Sequence, residues 1–348
     1  MSSITCEPRL QSLVNTRLLQ EGPNAILVDE LIFDSTDLED TGYDEDSVEQ
    51  IESLCAQVFE NLTCFPYVKT LRLRFHYEFH RQLQPLVGTS TELRVQYTVL
   101  QALANNPRPD TLVNLEITGI NTAPGDVCHK VFVSKAFQEF LLPTRALSLS
   151  FDSDPNFQSS DDEEPASFWS DIFPTFLFYT PIISSLELKC NDAANTSFIN
   201  WQGYNIPYLN NLAFHGFMYV DTLERFVLQH KANLAYLTID DCSILINNFE
   251  QIYKPRYWAN VFRLLEQETE LAELNVSPSI ARSAGIYAGD GSVTYIEKMG
   301  YYIDFGDGIQ LHSGRIQGEE DDMPALASFK RRVQLNPRGY QPGMLSRL

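Results

Sequence analysis

One apolar phrase recurs along the chain: an apolar residue, two variable positions, a leucine, one variable position and a second apolar residue. It reads Val68-Lys69-Thr70-Leu71-Arg72-Leu73, Leu112-Val113-Asn114-Leu115-Glu116-Ile117 and Ile183-Ser184-Ser185-Leu186-Glu187-Leu188. It returns as Leu209-Asn210-Asn211-Leu212-Ala213-Phe214, Leu234-Ala235-Tyr236-Leu237-Thr238-Ile239 and Leu271-Ala272-Glu273-Leu274-Asn275-Val276. Leu147-Ser148-Leu149 is a shorter copy without the first apolar residue, and an opening copy runs from Leu27 to Phe33. The last two apolar positions are two residues apart, the period of a strand, so each phrase predicts a short strand with alternate residues turned to the core. The central leucines follow one another at intervals of 44, 32, 39, 26, 25 and 37 residues from Leu71 onward. Such unequal spacing predicts connections of uneven length.

Helical patterns fill those connections. Segment 47–62 is apolar at Val48, Ile51, Leu54, Cys55, Val58, Phe59 and Leu62, with Ser47 placed to cap it. Further helices are predicted over 92–104, 131–141, 222–230 and 256–268. Segment 168–178 is too aromatic, and too interrupted by Pro174, to be assigned as a helix. Strands alternating with helices predict an α/β fold, with parallel strands on one face and helices on the other. Cys242 and Ile244 extend one phrase to Leu-x-x-Leu-x-Leu-x-x-Cys-x-Leu, with Ile at two leucine positions, and this matches the leucine-rich-repeat consensus. Asn191 occupies the Cys242 position after Leu188. The expected architecture is an irregular leucine-rich-repeat solenoid of seven or eight repeats over 1–276, its curved parallel sheet concave and its helices convex. An acidic loop is inserted near 152–165, a C-terminal cap spans 277–330, and 331–348 is expected to be a loose tail.

The stretch 198–245, with Phe198-Ile199-Asn200-Trp201 at its start, Leu212-Ala213-Phe214 and Leu234, Leu237 and Ile239 within it and Asp240-Asp241-Cys242 near its end, resembles the leucine-rich-repeat region of fungal F-box proteins. Its opening is Phe198-Ile199-Asn200-Trp201-Gln202-Gly203-Tyr204-Asn205-Ile206-Pro207-Tyr208-Leu209, and it closes on Ile239-Asp240-Asp241-Cys242-Ser243-Ile244-Leu245. Arg256-Tyr257-Trp258 with Phe262, and Tyr302-Ile303-Asp304-Phe305-Gly306-Asp307-Gly308, are similar to later parts of the same family. The resemblance implies recruitment of protein partners through the repeats, with substrate recognition for an F-box type ubiquitin ligase and contact with a ligase adaptor. Residues 1–65 depart from that family: they lack a Leu-Pro-led, three-helix F-box pattern and read as an early repeat.

Charge narrows the partner classes. Asp and Glu number 46 against 25 Lys and Arg, a net charge of −21. That is the wrong sign for a dedicated nucleic-acid binder, which neutralises phosphates with clustered cations. No stretch approaches 18 uncharged apolar residues and no secretory signal is read at the N-terminus, so no membrane partner is expected. Cys6, Cys55, Cys64, Cys128, Cys190 and Cys242 are too sparse for a disulfide scaffold and read as reduced thiols in a cytoplasmic or nuclear protein. The sequons at Asn61 and Asn195 are read as coincidental.

Little in the chain points to chemistry. His76 and His80 have the i, i+4 spacing of helical metal ligands but directly follow a predicted strand, and are read as part of a loop or helix start. Gly289-Asp290-Gly291 and Gly306-Asp307-Gly308 lack the rest of a P-loop or an EF-hand and are read as turns. Asp161-Asp162-Glu163-Glu164 is read as a solvated loop, with Ser159 and Ser160 placed for an acid-directed kinase. No catalytic fingerprint is present, and no catalytic residue, cofactor or metal is assigned. The reading is a non-enzymatic protein–protein interaction scaffold. The alternatives are a hydrolase with an unrecognised active site and an orphan structural repeat protein. Candidate partner-binding residues are the outward strand positions Arg72, Arg74, Glu116, Ser148, Glu187, Lys189, His215, Tyr236, Thr238 and Asp240, basic early and acidic late.

Overall fold

The repeated phrases fold as parallel strands. The computed structural model describes residues 2–36, 45–75, 91–122, 127–152, 168–191, 195–247, 256–277, 286–287, 293–294, 301–304, 310–311 and 319–336. The chain divides into two units, Met1–Ile183 and Ser184–Leu348. Each is α/β, with parallel strands joined through helices.

In the first unit β1 (Ser2–Cys6), β2 (Val28–Asp34), β3 (Thr70–Arg74), β4 (Asn114–Asn121) and β5 (Ala146–Asp152) pair in chain order, every pair parallel. The connections carry α1 (Leu10–Glu21), α2 (Glu45–Glu60), α3 (Thr91–Asn105), α4 (Cys128–Phe132), α5 (Lys135–Leu141) and α6 (Phe173–Phe178). Register sets Leu31, Leu71, Leu115 and Leu147 in one row and Phe33, Leu73, Ile117 and Leu149 in the next. All eight are buried. The first position of the phrase is buried as well, at Val28, Val68 and Leu112, so it seals the turn into each strand. The opening copy therefore starts at Val28, and its neighbour Leu27 is exposed.

Some elements differ from the sequence pattern. The expected helix over 131–141 is two helices, because Ser134 ends one and caps the next, its Oγ accepting the Phe137 N–H at 3.2 Å. Segment 168–178 folds as a π-helical turn, Phe168–Ile172, leading into α6. Its aromatic residues are what the core needs there: Phe168, Trp169, Phe173 and Phe176 all pack against Phe151 of β5.

The second unit contains β6 (Ser185–Cys190), β7 (Asn211–His215), α7 (Asp221–Gln229), β8 (Tyr236–Asp240), β9 (Ser243–Asn247), α8 (Trp258–Glu268) and β10 (Glu273–Ser277). Strands β6, β7, β8 and β10 pair parallel in that order. Their inward rows are Leu186, Leu212, Leu237 and Leu274, then Leu188, Phe214, Ile239 and Val276, all buried. Short strands β11 (Ile286–Tyr287) and β12 (Val293–Thr294) form an antiparallel pair. Strand β13 (Tyr301–Asp304) pairs parallel with β9 and antiparallel with β14 (Gln310–Leu311). Helix α9 (Asp322–Leu335) buries Ala325, Leu326, Phe329 and Val333 and packs on α8 and β10. The helix runs to Leu335, so the first five residues of the expected loose tail are ordered by this apolar face.

A backbone device recurs at one place in the phrase, two residues after its last apolar position. Gly119, Gly216 and Asp241 all have positive φ there, at 78°, 71° and 50°. A Cβ on Gly119 would lie 2.1 Å from the Phe75 carbonyl oxygen, and one on Gly216 2.0 Å from that of Cys190. Glycine at these two positions lets the backbone leave the strand against its neighbour. After Gly119 the β4–β5 register slips by one residue.

Candidate functional site

Side chains opposite the inward rows stand at matching heights on neighbouring strands. In the first unit Ile32, Arg72, Glu116 and Ser148 form one row, and Asp34, Arg74 and Thr118 the next. Arg72 lies between two carboxylates: its Nε is 2.8 Å from Glu30 and its Nη1 3.4 Å from Glu116. Arg74 Nη1 is 3.3 Å from Asp34. Partial burial works against charge on Asp34, but hydrogen bonds from the Thr36 hydroxyl and amide and from Arg74 outweigh it and hold this carboxyl below its ordinary range. The early arginines are therefore partnered cations, and the first unit does not present the basic end expected of a simple charge gradient. Glu30 and Asp34 were missed as members of this surface because they become outward positions only once the opening phrase is aligned on Val28, Leu31 and Phe33.

In the second unit the rows are Ser185, Asn211, Tyr236 and Glu273; Glu187, Ala213, Thr238 and Asn275; and Lys189, His215, Asp240 and Ser277. His215 is the centre of the charged group. Its Nδ1 is 3.1 Å from Asp240 Oδ2 and its Nε2 3.3 Å from Glu187 Oε1, the oxygen that Lys189 Nζ also approaches at 2.9 Å. The Glu187 hydrogen bond raises the His215 pKa most; burial and Lys189 oppose it, and Asp240 adds to the rise. Tyr236 is 39% exposed and Thr238 partly so. The structure thus gathers Arg72, Arg74, Glu116 and Ser148 on the outward face of the first unit. It gathers Glu187, Lys189, His215, Tyr236, Thr238 and Asp240 on that of the second.

The remaining candidate chemistry is placed as follows. His129 Nε2 lies 2.9 Å from the Asn121 carbonyl. His230 is buried, with Nδ1 donating to the Phe226 carbonyl at 2.7 Å and Nε2 accepting the Ile206 N–H at 3.0 Å. All six cysteines are free thiols. Cys242 is buried at the consensus position with Sγ 3.6 Å from the Phe214 carbonyl, whereas Asn191 at the corresponding position is exposed. Among the described residues no group of three or more His, Cys, Asp or Glu is arranged to hold a metal, and no helix is long and apolar enough to cross a membrane. A cavity of about 450 Å³ beside α9 is lined by Thr269, Leu271, Phe329, Arg332, Val333 and Asn336, and by none of the ten anticipated residues. His76, His80, Ser159, Ser160, the run Asp161 to Glu164 and both Gly-Asp-Gly phrases lie outside the described residues. No protein-family model matches the chain, and no curated protein sequence matches it.

Proposed function

We propose that the chain is an irregular leucine-rich-repeat solenoid whose outward strand rows recognise a protein partner. The observation that carries this reading is register. Partly exposed polar and charged side chains stand at equal heights on successive parallel strands, held by a backbone whose other face is buried. Recurrence of a left-handed residue at one place in the phrase supports a repeating coil. Ion pairs already restrain Arg72, Arg74, Lys189 and His215, which lowers the entropy lost when a partner docks. Tyr236 supplies a large amphipathic contact of the kind that carries binding energy.

Among the described residues, His230 has both ring nitrogens on backbone groups and His215 has both on carboxylates, which leaves neither ring a nitrogen to activate a nucleophile and favours recognition over hydrolysis. Among the described residues, 2–36 and 45–60 fold as strand, helix, strand and helix. Presenting a substrate to a ubiquitin ligase therefore requires an F-box from outside those segments. The setting consistent with six free thiols is the cytoplasm or nucleus.

Proximity labelling in the native host, with the wild type and Tyr236→Ala at equal expression, tests the reading. Partners held by the outward face drop about 5- to 30-fold with Tyr236→Ala, the effect of losing one central aromatic anchor. Identical recovery by both chains overturns it. Recovery of a ligase adaptor supports the ligase role, and its consistent absence removes that part.

A further inference from the structure

Both ring nitrogens of His215 face carboxylates, and this carries a consequence for the second unit. A neutral imidazole has one N–H, so it donates to Asp240 or to Glu187 but not to both. Only the imidazolium satisfies the two contacts together. Once the ring releases a proton to solvent, one of the two carboxylates loses its imidazole donor, while Lys189 stays on Glu187 in either case. The other charged groups facing this point are Glu187 and Lys189 on β6 and Asp240 on β8; Tyr236 on β8 and Glu273 on β10 stand two rows away. The inward side behind them is apolar, with Leu188, Phe214 and Ile239. Lys189 is the one other cation in this set and is already 2.9 Å from Glu187.

We propose that Glu187, His215 and Asp240 form a proton-controlled docking patch for an arginine-bearing protein segment, filled by the imidazolium at low pH and opened when the imidazole becomes neutral. The proposal rests on the outward rows being a docking face. Arginine suits the opened patch because its planar guanidinium offers paired donors to carboxylates held at fixed separation. Charge complementarity argues the same way: the carboxylates of Glu187 and Asp240 flank the ring on its two sides, and the cation beside them, Lys189, is held on Glu187 alone. His215 is thus an internal stand-in for the partner's cation, and the proton decides which of the two occupies the site.

The test uses the full chain, an acetylated and amidated five-residue peptide carrying two arginines, and the matched glutamine peptide as control. Amide shifts of Lys189, His215 and Asp240 are followed by NMR at about pH 5.5 and about pH 8, either side of the ordinary histidine range. The arginine peptide is expected to shift these amides and to bind about 3- to 5-fold tighter at the higher pH, the effect of one partly exposed ion pair. His215→Gln brings the ratio of the two affinities to about one, whatever the affinity itself becomes; Glu187→Gln with Asp240→Asn abolishes binding at both values. Binding at these amides with equal strength at both pH values overturns proton control while the docking face stands. No shift at these amides at either pH overturns the proposal through the docking reading itself.

Discussion

Arg108 donates to the hydroxyl of Thr144 at 3.4 Å, and Thr144 is the buried residue that stands where the other phrases carry an apolar side chain. The same guanidinium donates to the carbonyls of Phe140 and Leu112 and lies 4.8 Å over the Phe140 ring. One buried polar position in the turn is thus matched by one cation bound to oxygens and a π-face. Burial pushes the Arg108 pKa down to about 10, which leaves it charged at neutral pH.

The first prediction follows from that asymmetry. Arg108→Met strands the Leu112 and Phe140 carbonyls and is expected to destabilise the chain by about 2–3 kcal/mol. Thr144→Val restores the apolar phrase, leaves Arg108 its two carbonyls and is expected to cost less than about 1 kcal/mol. Urea midpoints at unchanged slope measure both, and equal losses for the two variants would remove the assigned role of Arg108.

The second prediction concerns two histidines with opposite pH signatures. Burial lowers the His230 pKa, opposed by its hydrogen bond to the Phe226 carbonyl. Its stabilising contribution is therefore present above the unfolded value of about 6.5 and is lost as pH falls through the folded value. His215 has a raised pKa, so its contribution is present below about 6.5 and is lost as pH rises through its folded value. Stability against pH should lose its acid-side slope in His230→Gln and its neutral-to-alkaline slope in His215→Gln. Nitrogen-15 spectra at neutral pH should show His230 protonated at Nδ1 and bare at Nε2. A proton on Nε2 contradicts the Ile206 contact.

A third prediction comes from the left-handed glycines. Gly216→Ala would put a methyl group on the Cys190 carbonyl and Gly119→Ala one on the Phe75 carbonyl, in a conformation unfavourable to an L-residue. Each is expected to cost about 2–4 kcal/mol, combining the conformational penalty with strand separation. Gly203 is the internal control, since its φ is 95° but nothing lies within 4 Å of a built Cβ. Gly203→Ala should cost only the conformational share, about 1–2 kcal/mol. Thermal denaturation ranks the three, and a Gly203 loss equal to that of Gly216 would show that the close carbonyl plays no part.

How much of this was readable in the chain depended on whether burial followed the apolar pattern. It did for the phrases: Leu71 with Leu73 and Leu237 with Ile239 are inward pairs at period two. It did not for α1, where Leu10, Val14 and Leu18 lie on the exposed side while Leu13, Thr16 and Gln20 are buried. Gln20 is held there by donating to the Val58 and Asn61 carbonyls, at 2.8 and 3.1 Å. A polar residue satisfied by backbone from 38 and 41 positions away leaves no local signal. Strand β1 was missed for a related reason, as its inward residues are only Ile4 and Cys6, set among two serines and one threonine. The outward surface was readable as positions, but its charge balance was not, because Glu30 and Asp34 reach the arginines only through strand pairing.

The final prediction concerns a helix start secured from a distance. Asp322 is buried at the beginning of α9, and its Oδ1 accepts the Ala259 N–H at 2.8 Å, in the first turn of α8. The first amides of a helix have no partner within it, so a carboxylate from another element does the work of a local cap, aided by the helix dipole. Arg263 to Asp321 at 2.8 Å and Ser328 to Glu266 at 2.9 Å join the same two helices at the surface, where each contributes little. Asp322→Ala is therefore expected to destabilise by about 1–3 kcal/mol, from a lost charged acceptor and an orphaned amide. Arg263→Ala should change stability by less than about 0.5 kcal/mol. Hydrogen exchange should place the Asp322→Ala effect at the Ala259 amide. Unchanged protection there would show that α8 starts without help from α9.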